Sequence, residues 1–218
     1  GGATTCAIRW EAWFGNPTEP EWTGERIDHR FMTMNNDSVL RALQCDTLSF
    51  LLLGDIHNSL SNDQMALLSE RHPDIQFWAQ LGDWMERPYL YYEQKMYQSL
   101  LHTRLDSLPI VAIPGNHEYL KGIVKTLPEH WKHVFPNPKN GPKRFLGTSY
   151  FVDFPHFRII ALDTDGLHRM SDYTQTVFWL KNTLRDAGDK FTLVMMHHPV
   201  YSTAKGRTNP FVLLAFHG

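Results

Sequence analysis

Four short polar signatures follow one another along the chain: Gly54-Asp55-Ile56-His57, Gly82-Asp83-Trp84, Gly115-Asn116-His117-Glu118 and Met196-His197-His198-Pro199. Carboxylate and imidazole donors together suit iron, manganese or zinc better than calcium or magnesium. Asp55 and His57 stand two apart, so both can turn toward one ion as the chain leaves a sheet; the plain alternative is a helix-capping Asp beside a surface His. Asp83 is a lone carboxylate that could bridge two ions held roughly 3.5–4 Å apart, the spacing two-metal hydrolysis requires, or simply a turn Asp after Gly. Glu86 and Arg87 follow in the same loop. The guanidinium of Arg87 suits the nonbridging oxygens of a phosphate, the alternative being a local Glu86–Arg87 surface pair. Asn116 offers a neutral oxygen donor. His117, one residue on, is placed to give a proton to a leaving oxygen, and Glu118 is expected to orient that imidazole by hydrogen bonding. Neighbouring strand residues face opposite ways, so His197 is read as a ligand and His198 as a group near the substrate.

Each signature closes an apolar run, at 48–53, 75–81, 110–113 and 191–196. These runs read as buried strands. In an α/β sheet the loops beyond the carboxyl ends of the strands meet on one rim, where ligands bind, so the order predicts one cluster of donors on one edge. Helices are expected at 63–70, capped by Ser61 or Asn62, at 89–105 with Pro88 in the first turn, and at 172–187, capped by Ser171 or Asp172. In the last of these Val177, Leu180 and Leu184 would share the buried face and Gly188 would end the helix. Residues 148–154 and 157–163 flank Pro155-His156 and read as a hairpin. Strand–helix alternation, a hairpin, then helix and strand predict an α/β protein with two facing sheets and helices outside.

Residues 1–47 differ in texture. Residues 8–14 partly alternate like a strand, 15–20 break it, 30–34 could form a second short strand, and 35–47 read as a linker or short surface helix. Two strands bury no core alone, so this segment must pack on the domain spanning 48–218 or be the tail of a larger β module.

With 42% hydrophobic and 20% charged residues, composition suits a globular protein with a sizeable core. A net charge of −2 shows no basic patch that would make nucleic acid an obligatory partner. No apolar stretch approaches the roughly 20 residues of a membrane span, and oligomeric state is not legible. Cys6 and Cys45 can form one disulfide or stand as two independent buried thiols, and are too few for a zinc cluster.

The signatures together resemble the calcineurin-like metallophosphoesterase superfamily, whose pattern runs Asp-x-His, Gly-Asp, Gly-Asn-His-Asp/Glu, a His after a buried strand, and Gly-His-x-His. The resemblance implies a four-layer α/β/β/α sandwich over 48–218 and two divalent or trivalent transition-metal ions (Mn, Fe or Zn). Asp55 and His57 would hold the first ion, Asn116 and His197 the second. Asp83 and a hydroxide would bridge them, the hydroxide attacking a phosphate mono- or diester in line while His117 protonates the leaving oxygen. The alternatives are a phosphodiesterase or nuclease of the same superfamily, acting on a phosphodiester instead of a phosphorylated small molecule, and a non-catalytic scaffold that binds proteins through its metal rim.

Gly-Asp-x-x-Glu-Arg at 82–87 is similar to the Gly-Asp-x-x-Asp-Arg of the serine/threonine phosphatase branch. Residues 150–153, 159–163, 178–180 and 197–202 are similar to the purple-acid-phosphatase-like branch, which implies an extracytoplasmic location. That branch carries a Tyr ligand after Gly-Asp, where this chain has Trp84, Met85, Glu86 and Arg87, and it has no His at the place of His57. A purple charge-transfer site is therefore not expected. Gly-His-x-His does not occur, and His217 has Gly after it rather than before. The chain is accordingly expected to be a segment of a longer protein, truncated before that motif, with 8–34 resembling the closing strands of a small β domain. Alone it is expected to bind metal weakly and turn over little.

Overall fold

The computed structural model describes residues 20–44 and 47–205. The expected strand at 8–14, both cysteines and residues 206–218, His217 among them, lie outside the described residues.

Three parallel strands form the first sheet in the order β1 (Phe50–Leu53), β2 (Phe77–Leu81), β3 (Ile110–Ile113). The second sheet pairs β4 (Tyr150–Asp153) antiparallel with β5 (Phe157–Leu162), and β5 parallel with β6 (Phe191–Met196). Register aligns the strand ends: Leu81 lies opposite Ile113, and Leu162 opposite Met196. The polar signatures thus leave each sheet at a common level.

Alternation along the strands builds the layers. Phe77, Ala79, Val111 and Ile113 face one way and meet Tyr150, Val152, Ile159, Ala161 and Met195 of the second sheet. Trp78, Ile110 and Ala112 face the other way, onto Met65 of α2 (Asn62–Arg71), Met96 and Tyr97 of α3 (Leu90–Leu100) and Leu105 of α4 (Arg104–Ser107). Ile160 and Leu162 pack outward on Leu180 of α6 (Met170–Arg185). The order α/β/β/α follows. Because β2 and β3 are covered on both faces, they do not alternate: β3 is an unbroken apolar run and β2 is interrupted only by the buried Gln80.

Helix boundaries depart from expectation where long-range partners intervene. The helix expected at 89–105 is two: α3 stops at Leu100, His102 takes φ +64°, and α4 begins at Arg104. The side-chain amide of Asn62, at the start of α2, lies 2.9 Å from the Leu101 carbonyl and 3.1 Å from that of Gln98. It satisfies carbonyls left open at the helix end and holds the break. Pro88 precedes the N-cap, Tyr89, rather than sitting in the first turn. Ser61 is the cap of α2, in a capping box with Gln64.

Neither Ser171 nor Asp172 caps α6; Arg169 is the N-cap, and Asp172 sits at the third helical position, accepting from the Arg169 amide at 3.1 Å. The buried face of α6 runs Asp172, Thr176, Leu180, Thr183, while Leu184 is exposed. The buried Asp172 carboxylate, paired with Arg144 at 3.2 Å, sets the rotation. The helix ends at Arg185 with Asp186 as its C-cap, and Gly188, expected to end it, stands three residues beyond in the following turn at φ +59°.

Residues 30–34 form no strand. Thr33 makes a single parallel bridge to Ile110, and its hydroxyl donates to the Pro136 carbonyl at 2.6 Å. The chain then turns into α1 (Asp37–Ala42), capped by Asn36. Phe31, Met34, Val39 and Leu43 are buried in the cores on either face of the first sheet. No helix among the described residues is long and apolar enough to cross a membrane. Between α4 and α6 lie β3, the short α5 (Glu129–Val134), β4 and β5.

Candidate metal centre

Backbone hydrogen bonds lace the loop after β1 to the loop after β2: the amides of Asp55, His57 and Asn58 donate to the carbonyls of Gly82, Asp83 and Trp84 at 3.1, 2.9 and 2.8 Å. The lacing holds Asp55, His57, Asn58 and Asp83 at φ +48° to +55°. Such conformations cost non-glycine residues about 1–3 kcal/mol each and persist where surrounding structure enforces them, commonly at functional sites. Gly82, at φ +89°, has no room for a side chain: a Cβ would lie 2.6 Å from His197 Nδ1 and 2.7 Å from Gly115 Cα.

Asp83 is buried, and three imidazoles converge on its Oδ2. The Nε2 atoms of His197, His57 and His117 lie 3.3, 3.6 and 4.0 Å away. In each ring the other nitrogen is engaged: His57 Nδ1 with Glu86 Oε2 at 3.0 Å, His117 Nδ1 with the Glu86 carbonyl at 2.6 Å, and His197 Nδ1 with the Leu81 carbonyl at 2.9 Å. A carbonyl only accepts, so Nδ1 of His117 and of His197 carries the proton and Nε2 faces the carboxylate. Such orientation through the distal nitrogen is how metal-binding imidazoles are held. Asn116 Oδ1 lies 3.3 Å from His197 Nε2, and Asp55 Oδ1 lies 3.7 Å from His57 Nε2.

Separations of this size are those of neighbouring donors around an ion with bonds of about 2.1 Å. Among the described residues three donor groups result: His57, Asp83 and His117; Asp55, Asp83 and His197; and Asp165, His197 and His198. Asp83 belongs to two of them. The donor set and its distal hydrogen bonds fit transition-metal ions. Burial alone would raise the Asp83 pKa, but the His197 hydrogen bond and the His117 amide outweigh it and hold the carboxyl below its usual range. Burial opposes the charged form of His197 too, yet Asp83 prevails and its pKa is pushed up to about 9.

Glu118 does not orient His117. It is 2% exposed, and its carboxylate accepts from the amides of Asp83, Trp84, Met85 and Gly115 at 2.8, 2.9, 3.1 and 2.7 Å. It cinches the loops after β2 and β3 from beneath, and burial pushes its pKa up against the pull of those amides. The orienting work falls to Glu86, through its carboxylate on His57 and its carbonyl on His117. Arg87 is exposed in the same loop. His198 Nδ1 lies 2.9 Å from Thr164 Oγ1 and 3.6 Å from Asp165 Oδ2.

In the sequence Asp163 counts only as the end of a strand and Asp165 carries no expectation, although Asp163-Thr164-Asp165-Gly166 closes the apolar run of β5 in the same manner as the other signatures. Asp163 is fully buried, accepts from the Tyr119 hydroxyl at 2.5 Å, and has its pKa raised by burial. Asp165 Oδ1 pairs with Lys125 Nζ at 2.7 Å.

The glycerophosphodiester phosphodiesterase GpdQ of Enterobacter lignolyticus (strain SCF1) is 29% identical over 104 residues, covering 47% of this chain and 35% of that protein. The chain thus spans about a third of that relative's length. The calcineurin-like phosphoesterase family matches residues 48–217, most of the chain and all four signatures, and this chain belongs to that family.

Proposed function

We propose that this domain hydrolyses phosphate esters with two transition-metal ions, Mn, Fe or Zn. The observation that carries the reading is the convergence of three imidazole Nε2 atoms on one buried carboxylate, each ring held through its other nitrogen. Asp55 and His57 would hold one ion, Asn116 and His197 the other, with Asp83 shared. When bound, such ions neutralise the phosphoryl oxygens and make water a usable nucleophile at neutral pH. His117 keeps its Nδ1 proton on the Glu86 carbonyl; a second proton at Nε2 makes an imidazolium able to hand that proton to the departing alkoxide. Arg87 would grip the nonbridging oxygens.

The substrate is a mono- or diester, and the activity named for the GpdQ relative favours the diester. A non-catalytic scaffold would need neither a shared carboxylate nor a proton donor in register with it. The test is turnover of nitrophenyl phosphate and bis-nitrophenyl phosphate before and after chelation, with Mn, Fe or Zn restored. Loss on chelation and recovery with metal are expected, and the faster substrate identifies the ester class. No bound metal by elemental analysis together with chelator-resistant turnover would overturn the reading.

A further inference from the structure

One donor group lies aside from the two hydrolytic ions: Asp165, His197 and His198. Asp165 comes from the loop after β5 and His198 from the loop after β6. The loop carrying Asp165 is pinned. Asp163 Oδ1 accepts from the amides of Asp165 and Gly166 at 3.2 and 3.0 Å, and Asp163 Oδ2 accepts from the Tyr119 hydroxyl. So held, the Asp165 side chain is fully buried, and its two oxygens differ. Oδ1 lies 2.7 Å from Lys125 Nζ. Oδ2 is buried with no hydrogen-bond partner among the described residues, and His198 Nδ1 lies 3.6 Å from it. A buried carboxylate oxygen left without a donor costs free energy that a bound cation would recover. Thr164 Oγ1 lies 2.9 Å from the same His198 nitrogen and also accepts from the His198 amide at 3.4 Å, so the hydroxyl can turn to the amide and leave Nδ1 free.

Donor atoms of Asp165, His197 and His198 all lie within 4.8 Å of one another. Small side-chain shifts bring three such atoms onto one ion with bonds of about 2.0–2.2 Å, and two imidazoles with a carboxylate are a donor set that zinc takes. His197 limits what can be filled. Its Nδ1 donates to the Leu81 carbonyl at 2.9 Å, which leaves Nε2 as its one lone pair. That atom already faces Asp83 Oδ2 and Asn116 Oδ1, each at 3.3 Å. No donor group among the described residues contains both Asp83 and Asp165, so one ion does not serve both sides.

We propose that Asp165, His198 and His197 form an alternative position for a zinc-type ion, and that filling it draws His197 away from the Asp83 centre. Excess metal then slows the enzyme through a shared imidazole. The inference goes beyond the phosphoesterase reading, because the position holds a cation whatever the centre does. Lys125 keeps it weak: the ammonium occupies one carboxylate oxygen and repels an arriving cation.

Cobalt(II) is the probe, since its visible absorption reports ligation without turnover. Asp83→Asn disables the shared carboxylate of the centre and leaves the Asp165 position whole. That variant is expected to bind cobalt, and adding Asp165→Asn or His198→Gln should weaken the binding about tenfold or more. Adding Lys125→Gln should tighten it roughly threefold or more. Thermal melting checks each fold, and His198→Gln alters a partly exposed side chain where Asp165→Asn alters a buried one. Cobalt binding by Asp83→Asn that ignores both ligand substitutions would overturn the proposal, as would no cobalt binding by Asp83→Asn at all. In protein with the centre intact, nitrophenyl phosphate turnover should fall as zinc exceeds the amount that fills it. The fall should come at lower zinc in Lys125→Gln and at higher zinc in Asp165→Asn. The same zinc dependence in all three proteins would overturn the slowing by excess metal. Expected cobalt titrations beside a wild-type protein that turns over no ester at any metal level would sink the phosphoesterase reading and leave this position standing.

Discussion

Asp83 Oδ2 and His197 Nε2 meet at 3.3 Å across the seam between the two sheets, the carboxylate from the loop after β2 and the imidazole from the end of β6. The contact joins a donor carried by the first sheet to one carried by the second. Asp83→Asn keeps the shape and removes the charge. Metal content should fall and turnover should drop on the order of a hundredfold or more, since neutral amide oxygen is a poor bridge between two cations. Elemental analysis beside turnover checks this; unchanged metal content and rate would return Asp83 to a structural role.

The same pair predicts a pH dependence for metal-free protein. The His197 pKa rises from 6.5 unfolded to about 9 folded, so its contribution to stability is complete below pH 6.5 and is lost as pH climbs through 9. Asp83, its pKa lowered, contributes above the ordinary carboxylate range and loses that contribution as pH falls through its folded pKa. The stability advantage of wild type over His197→Asn should therefore shrink between pH 6.5 and 9, by on the order of 3 kcal/mol. Metal uptake near pH 7.5 should release about one proton from His197, because Nε2 must shed it to ligate. Denaturation across pH and calorimetry in buffers of different ionisation enthalpy measure the two effects.

His117 as proton donor gives a graded expectation. His117→Ala should slow alkyl phosphate esters roughly 10²–10⁴-fold and nitrophenyl esters much less, because nitrophenolate leaves without protonation. Equal losses on both substrates would mean that His117 positions metal or substrate instead.

Arg87→Ala should weaken inhibition by inorganic phosphate along with turnover while leaving metal content alone, since guanidinium cannot ligate a cation. Phosphate inhibition that survives the substitution would place Arg87 in a surface pair.

Glu118→Ala should act on stability. Four buried amides lose their acceptor at once, and with about 1–3 kcal/mol for each buried group left unpaired, a loss of roughly 3 kcal/mol or more remains after partial rehydration. Glu118→Gln, which keeps one accepting oxygen, should lose less. Thermal melting of the two variants decides between this cinching role and an orienting role for Glu118 that would lower the rate without moving the melting temperature.

The sequence by itself determined the strands and the level at which the chemistry leaves them. The apolar runs of β3 and β6 match the observed strands end to end; His197 follows β6 directly, and Gly-Asn-His-Glu follows β3 after Pro114. This works because hydrophobic period and strand-ending residues act within a few positions of one another. Tertiary structure alone decided who serves whom. Glu118 sits beside His117 in sequence yet turns into the core, while Glu86 reaches His57 from 29 positions away. Asn62 breaks the helix expected at 89–105 from across a packed interface, and Asp172 rotates α6 by pairing with Arg144. Lys125, Asp165 and His198 read as unrelated residues until three loops fold onto one rim. Backbone state and strand exit are local properties of the chain, whereas a buried polar group takes whichever partner the packed sheets and helices bring within about 3 Å.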